Sequence, residues 1–127
     1  MQPRDVARAY GAGRVAIGVV ALLAPRAIGR VWLGAPGGTP AGGVAMRALG
    51  VRDLVLGAIA LHTLDHADVA PRWQRTCAAV DAVDFAATAA ARRALPPLGS
   101  AFVMAMAAGG AATGAWLGSG ALSRPAP

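Results

Sequence analysis

Five ionisable residues stand in the chain where long apolar stretches leave least room for them. Arg14 falls near the middle of one such stretch, Arg52 and Asp53 near the middle of a second, and Asp81 and Asp84 near the middle of a third. Arg47 lies about a turn and a half from that layer and, if counted with it, brings the set to three arginines against three aspartates. In a bilayer each unpaired charge would cost about 2.5 to 3.5 kcal/mol, and five on the order of 15 kcal/mol. Such groups must therefore pair with one another, face the interior of a bundle, or line water. Two readings stay open. In one, interhelical ion pairs of Arg14 or Arg52 with Asp81 and Asp84 set the register of the helices. In the other, the same residues line a polar cavity for an ion, a proton or a small polar ligand.

Helical spacing sorts these residues onto faces. Cys77, Asp81, Asp84 and Thr88 follow i, i+4, i+7, i+11 and form one stripe. Gly50, Asp53 and Gly57 share a face, whereas Arg52 is rotated from it by about 100° and must bend round to reach the same neighbour. Gly11, Arg14 and Gly18 share a face on which small residues make room for a long side chain.

Other chemistry is sparse. His62 and His66 lie at i, i+4 with Asp65 between them, so a helix there would turn two imidazoles to one side, a weak candidate for a metal. No third ligand accompanies them, and helix capping or titration at a membrane surface is the plainer role. The chain has no H-E-x-x-H, phosphate loop or G-x-S-x-G, and Ser100, Ser119 and Ser123 have no base nearby in sequence. Cys77 is the single cysteine, which excludes an intrachain disulfide or a thiolate cluster. No catalytic residue, cofactor or enzymatic activity is expected.

The elements that would position these residues follow from composition. Of 127 residues, 56% are apolar and only 14% charged, and the mean hydropathy is positive. A soluble domain of this length carries about a quarter of its residues charged. All twelve basic residues are arginine and all six acidic ones aspartate, giving a net charge of +6. The arginines are dispersed beside apolar segments, with no basic stripe or aromatic platform, so nucleic acid is not an expected partner. Apolar stretches of about twenty residues, enough to cross ~30 Å of hydrocarbon at 1.5 Å per residue, cover about 6–24, 44–64, 73–91 and 98–117. The first is read as a retained helix, because Arg14 interrupts it and no small-x-small cleavage site follows.

The segment 27–33, with Arg26 and Arg30 and with Trp32, suits an amphipathic piece at headgroup level, and 34–43 reads as a flexible link of turn residues. Tyr10, Trp73 and Trp116 fall near the ends of spans, where aromatic anchors belong. The expected fold is all-α: a four-transmembrane-helix bundle with a short interfacial helix after the first span, forming one domain over 1–127. It is expected in a cell membrane, as a multi-pass protein of the bacterial cytoplasmic membrane, with the lipid bilayer as its first partner.

Gly110, Gly114 and Gly118 form a doubled GxxxG on the last span, whose partner is read as the first helix or a second copy of the chain. A homodimer or a place as accessory subunit in a larger membrane complex follows from the second option. Arginines divide evenly between the two sides, Arg4, Arg8, Arg72, Arg75 and Arg124 against Arg26, Arg30, Arg92, Arg93 and Arg47. The positive-inside rule then assigns no orientation, and dual topology stays open.

The run Arg47-Ala-Leu-Gly-Val-Arg52-Asp53-Leu-Val-Leu-Gly57 resembles the R-x-x-G-x-R-D-x-x-x-G motif of an uncharacterised family of small four-helix integral membrane proteins. Leu23-Ala-Pro25-Arg26 is similar to the close of that family's Gly-rich first helix, and Asp81 and Asp84 stand where it carries an aspartate-bearing third helix. The resemblance implies a fold and no activity. It singles out Arg47, Arg52, Asp53, Asp81 and Asp84.

Overall fold

The computed structural model describes residues 1–123, and Arg124 lies outside them. Its five α-helices are α1 (Pro3–Leu23), α2 (Pro25–Leu33), α3 (Pro40–His62), α4 (Ala70–Ala91) and α5 (Pro97–Gly118), with 3-10 turns at Ala35–Gly38, Thr63–Asp65, Arg92–Ala94 and Ala121–Ser123. The described residues contain no strand. Each helix has proline at its first or second position, where the missing N–H is one that no helix bonds internally.

The same residue also ends α1. The position before a proline is pushed away from helical geometry, and Ala24 accordingly leaves the helix before Pro25 opens α2. The supposed flexible link is shorter and more ordered than its composition suggests. Thr39 Oγ1 accepts from the Gly42 N–H at 3.0 Å and caps α3, so Pro40 to Gly43 are helical. Gly42 is there for closeness: a Cβ on it would stand 2.5 Å from the Pro36 carbonyl oxygen.

Four long helices form two tight pairs, α1 on α3 and α4 on α5, with slighter contact between the pairs. Glycine makes the first pair close. A Cβ on Gly18 would lie 2.6 Å from the Gly50 carbonyl oxygen, and one on Gly57 2.6 Å from that of Gly11. The backbones touch where side chains would hold them apart.

The glycine stripe of α5 corrects the sequence reading. Its partner is α4: a Cβ on Gly114 would stand 2.8 Å from the Gln74 carbonyl oxygen, and one on Gly118 3.0 Å from that of Pro71. The short turn Arg92–Ala94 makes α4 and α5 antiparallel neighbours, and the glycine face of α1 is already taken up by α3. Meanwhile α2 is wedged between the starts of α3 and α5, Gly29 against Gly37 and Gly99 against the Val31 carbonyl.

The apolar core is small and lies toward the α1 start, where Ala7, Leu64 and Leu117 form one cluster and Leu56, Ala60 and Cys77 another. Many large apolar side chains face outward instead, among them Val51, Val55, Val83 and Phe102. Two helices, α1 and α5, are long and apolar enough to cross a membrane.

Candidate functional site: an ion-pair chain beneath an apolar cavity

The inner face of α1 carries Tyr10 and Arg14, one turn apart, and Arg14 is 5% exposed. Its Nη1 donates to Asp53 Oδ1 on α3 at 2.7 Å, and its Nη2 donates to Asp81 Oδ1 on α4 and to the Cys77 carbonyl at 3.2 Å. The Tyr10 hydroxyl donates to Asp81 Oδ2 at 2.5 Å, and the Arg14 guanidinium stands over the Tyr10 ring, 5.2 Å from its centre. Arg52 reaches the other aspartate of α4 with both terminal nitrogens, at 2.9 and 2.6 Å from the two oxygens of Asp84. That is the two-pronged geometry in which a guanidinium binds a carboxylate most strongly. Arg52 Nη2 also lies 3.3 Å from Asp53 Oδ2.

Taken in order, Asp81, Arg14, Asp53, Arg52 and Asp84 form a chain of alternating charge. It leaves α4, crosses α1 and α3, and returns to α4 one turn on. Alternation places every carboxylate beside a guanidinium, which is how charges out of water stay tolerable. Helix α5 adds no charge but makes room, since a Cβ on Gly110 would stand 2.9 Å from the Asp81 Cγ.

Above this chain lies a cavity of about 680 Å³. Arg14, Arg52, Asp53, Asp81 and Asp84 line its polar floor, and its remaining wall is mostly apolar. Ile17 and Val20 of α1 and Phe102 and Met106 of α5 line it too, and all four are exposed, so the cavity opens between those helices. Trp32 of α2 lines it as well. The Nε of Arg14, the Nε of Arg52 and the indole N–H of Trp32 find no hydrogen-bond partner among the described residues.

The structure thus brings five of the six sequence-derived network residues together and leaves one out. Arg47 is exposed and makes no ion pair among the described residues. Gly43, Met46 and Gly50 mark the inner face of α3, and Arg47 follows Met46 by the ~100° step that turns it outward. Without it the network is uneven, two guanidiniums against three carboxylates. His62 and His66 sit exposed at the end of α3 with ring centres 5.8 Å apart. Among the described residues no three His, Cys, Asp or Glu side chains gather as a metal site.

Three participants escaped the sequence reading. Tyr10 was expected to anchor at an interface and instead faces inward, a role its i, i+4 spacing from Arg14 signals. Trp32 joins the cavity because α2 packs inward, which its sequence alone does not reveal. Gln74, one turn before Cys77 on the same stripe, is fully buried with neither amide atom partnered among the described residues. Compared with protein-family models, curated proteins and solved structures, the chain matches none.

Proposed function

We propose that this chain is a multi-pass integral membrane protein in which α1, α3, α4 and α5 all cross the bilayer, and that it binds an amphiphilic molecule entering between α1 and α5. The observation that carries the reading is the inversion of polarity: an ion-pair chain forms the floor of an apolar-walled cavity, while large apolar side chains face outward. A protein in water arranges these the other way. Helices α3 and α4 fall short as spans by composition because charges stand in their middles. The charges at their midpoints are paired within the bundle, which leaves the outward faces of α3 and α4 mostly apolar, with Arg47 an exposed exception on α3.

The cavity has the size and lining of a small-molecule site, mostly apolar with a few convergent polar groups. With all five groups ionised its floor bears one net negative charge, so a cationic head is favoured over an anionic one. The ligand would lay its apolar body between Ile17 and Phe102 and its head over the aspartates.

Tetraphenylphosphonium and tetraphenylborate, near-identical in shape and opposite in charge, test this directly. In detergent micelles the cation should bind saturably at one site per chain, with the borate no better than to empty micelles. Asp81→Asn should weaken the cation, and Ile17→Trp, which fills the groove without touching the network, should abolish it. Equal partitioning of both ions into protein and empty micelles would sink the binding reading. The same network has a second task, favoured by the pairing of all three of its carboxylates: it ties the α1/α3 pair to α4.

A further inference from the structure

We infer that the end of the bundle formed by α2 and the adjoining helix ends is a docking surface for the phosphate headgroups of anionic phospholipids; the inference rests on the four-span reading above. It starts from where the aspartates are. Asp53, Asp81 and Asp84 lie in the interior network. Asp5, Asp65 and Asp68 lie at the opposite end, where Arg4 pairs with Asp65 at 3.1 Å and Arg8 approaches Asp5 at 3.7 Å. No carboxylate side chain is left for the α2 end. That end carries Arg26, Arg30, Arg92 and Arg93, all exposed.

Two of these arginines, Arg26 and Arg30, are laid along neighbouring backbone. Helix α2 is clamped by the contact of Gly29 with Gly37, and by Gly99 of α5 against its Val31 carbonyl. The Arg26 stem lies along α3, 3.4 Å from where a Cβ of Gly43 would be, and Arg30 lies across Gly38. Arg26 and Arg30 are one turn apart on α2 and share a face, while Ile28 and Trp32 line the cavity. Side chains already laid along backbone, as Arg26 and Arg30 are, lose less freedom on meeting an anion.

The neighbours of the arginines choose among anions. Leu23, Val31, Val44 and Leu98 are exposed at the same end, 80% and 88% for the two leucines. A soluble polyanion would leave those side chains in water. At a bilayer surface they enter the acyl region while the guanidiniums meet phosphate, as interfacial amphipathic elements do. The opposite end mixes both signs and offers no such surplus. Each arginine at an anionic surface is worth roughly fivefold in affinity.

The test is retention of phosphatidylglycerol against phosphatidylcholine by the detergent-purified full chain in native mass spectrometry. One variant carries Arg26→Gln, Arg30→Gln, Arg92→Gln and Arg93→Gln. A second carries Arg4→Gln, Arg8→Gln, Arg72→Gln and Arg75→Gln, which removes the same charge from the other end. The wild type and the second variant should retain phosphatidylglycerol at least about tenfold over phosphatidylcholine, and the first variant should lose that preference. If the first variant misfolds by circular dichroism, Arg92→Gln with Arg93→Gln alone should still cut the preference severalfold. Equal loss in both quadruple variants, or no preference in the wild type, overturns the inference. Complete competition by inorganic phosphate at matched concentration also overturns it, because the site would then be one for free anions. A chain that stays monodisperse in water without detergent would instead defeat the four-span reading, a separate result.

Discussion

The Tyr10 hydroxyl reaches from α1 to donate to Oδ2 of Asp81 on α4 at 2.5 Å, while Arg14, one turn further along α1, takes Oδ1 of the same carboxylate. Helices α1 and α4 stand on a diagonal of the bundle with no close backbone approach, so these side chains are their direct link. Asp81 is thus where α1 grips the α4/α5 pair, as Asp84 is where α3 does through Arg52. Tyr10→Phe removes one hydrogen bond to a charged acceptor and should destabilise the fold by about 1–3 kcal/mol, read from reversible unfolding in mixed micelles. An unchanged unfolding curve would mean that the tyrosine bond contributes nothing.

Removing Arg14 takes a guanidinium from two carboxylates at once, leaving Asp53 with Arg52 and Asp81 with only the Tyr10 hydroxyl. Arg14→Gln should cost about 3–5 kcal/mol, and Asp81→Asn a comparable but smaller amount. Combined, they should cost clearly less than their sum, because the second change removes a charge that the first left unpaired. Strict additivity would show that the two side chains do not interact. Arg47→Gln serves as the reference, since its exposed side chain lies outside the network and should change stability by no more than about 0.5 kcal/mol.

Glycines divide sharply by position. Gly18→Ala and Gly57→Ala push a methyl to 2.6 Å from backbone atoms of the facing helix and should destabilise by about 1–3 kcal/mol. Gly13 and Gly109 have open space where a Cβ would go, so Ala there should be neutral or stabilising by up to about 1 kcal/mol through helix propensity. The same unfolding assay ranks all four, and a penalty at Gly13 as large as at Gly18 would contradict the packing described.

Gly110→Ala tests the floor of the cavity from α5, a helix without charge. The added methyl displaces the Asp81 carboxylate from Tyr10 and Arg14, so tetraphenylphosphonium affinity should fall severalfold while helix content by circular dichroism stays constant. Affinity equal to wild type would separate Asp81 from ligand binding.

Membrane insertion should depend on the partners of α4. Placed alone in a glycosylation-mapped insertion assay, α4 should insert poorly, since Asp81 and Asp84 lose the Arg14 and Arg52 that neutralise them. Asp81→Leu with Asp84→Leu should restore insertion, and α1 and α5 should insert without help. Efficient insertion of unaltered α4 by itself would remove the need for the ion-pair chain during assembly.

Local chemistry in the sequence was enough for the helices and for the faces of α1, α3 and α4. Apolar runs give the approximate lengths, although α3 begins at Pro40 rather than near Val44, and the i, i+4, i+7 stripe puts Asp81 and Asp84 on the side of α4 that meets Arg14 and Arg52. Those signals depend on the backbone's own geometry, which holds before any helix finds a neighbour. Tertiary structure decided what spacing could not. Arg47 dropped out because it faces away by one helical step, and Tyr10 entered because α1 presents it diagonally to α4. The α5 glycines met α4 because a short turn and an already occupied α1 left no other backbone within reach. The charges at mid-helix were visible from the start, but their order was not. Alternation from Asp81 through Arg14, Asp53 and Arg52 to Asp84 exists only when three helices stand at fixed distances, since an ion pair is a property of separation in space.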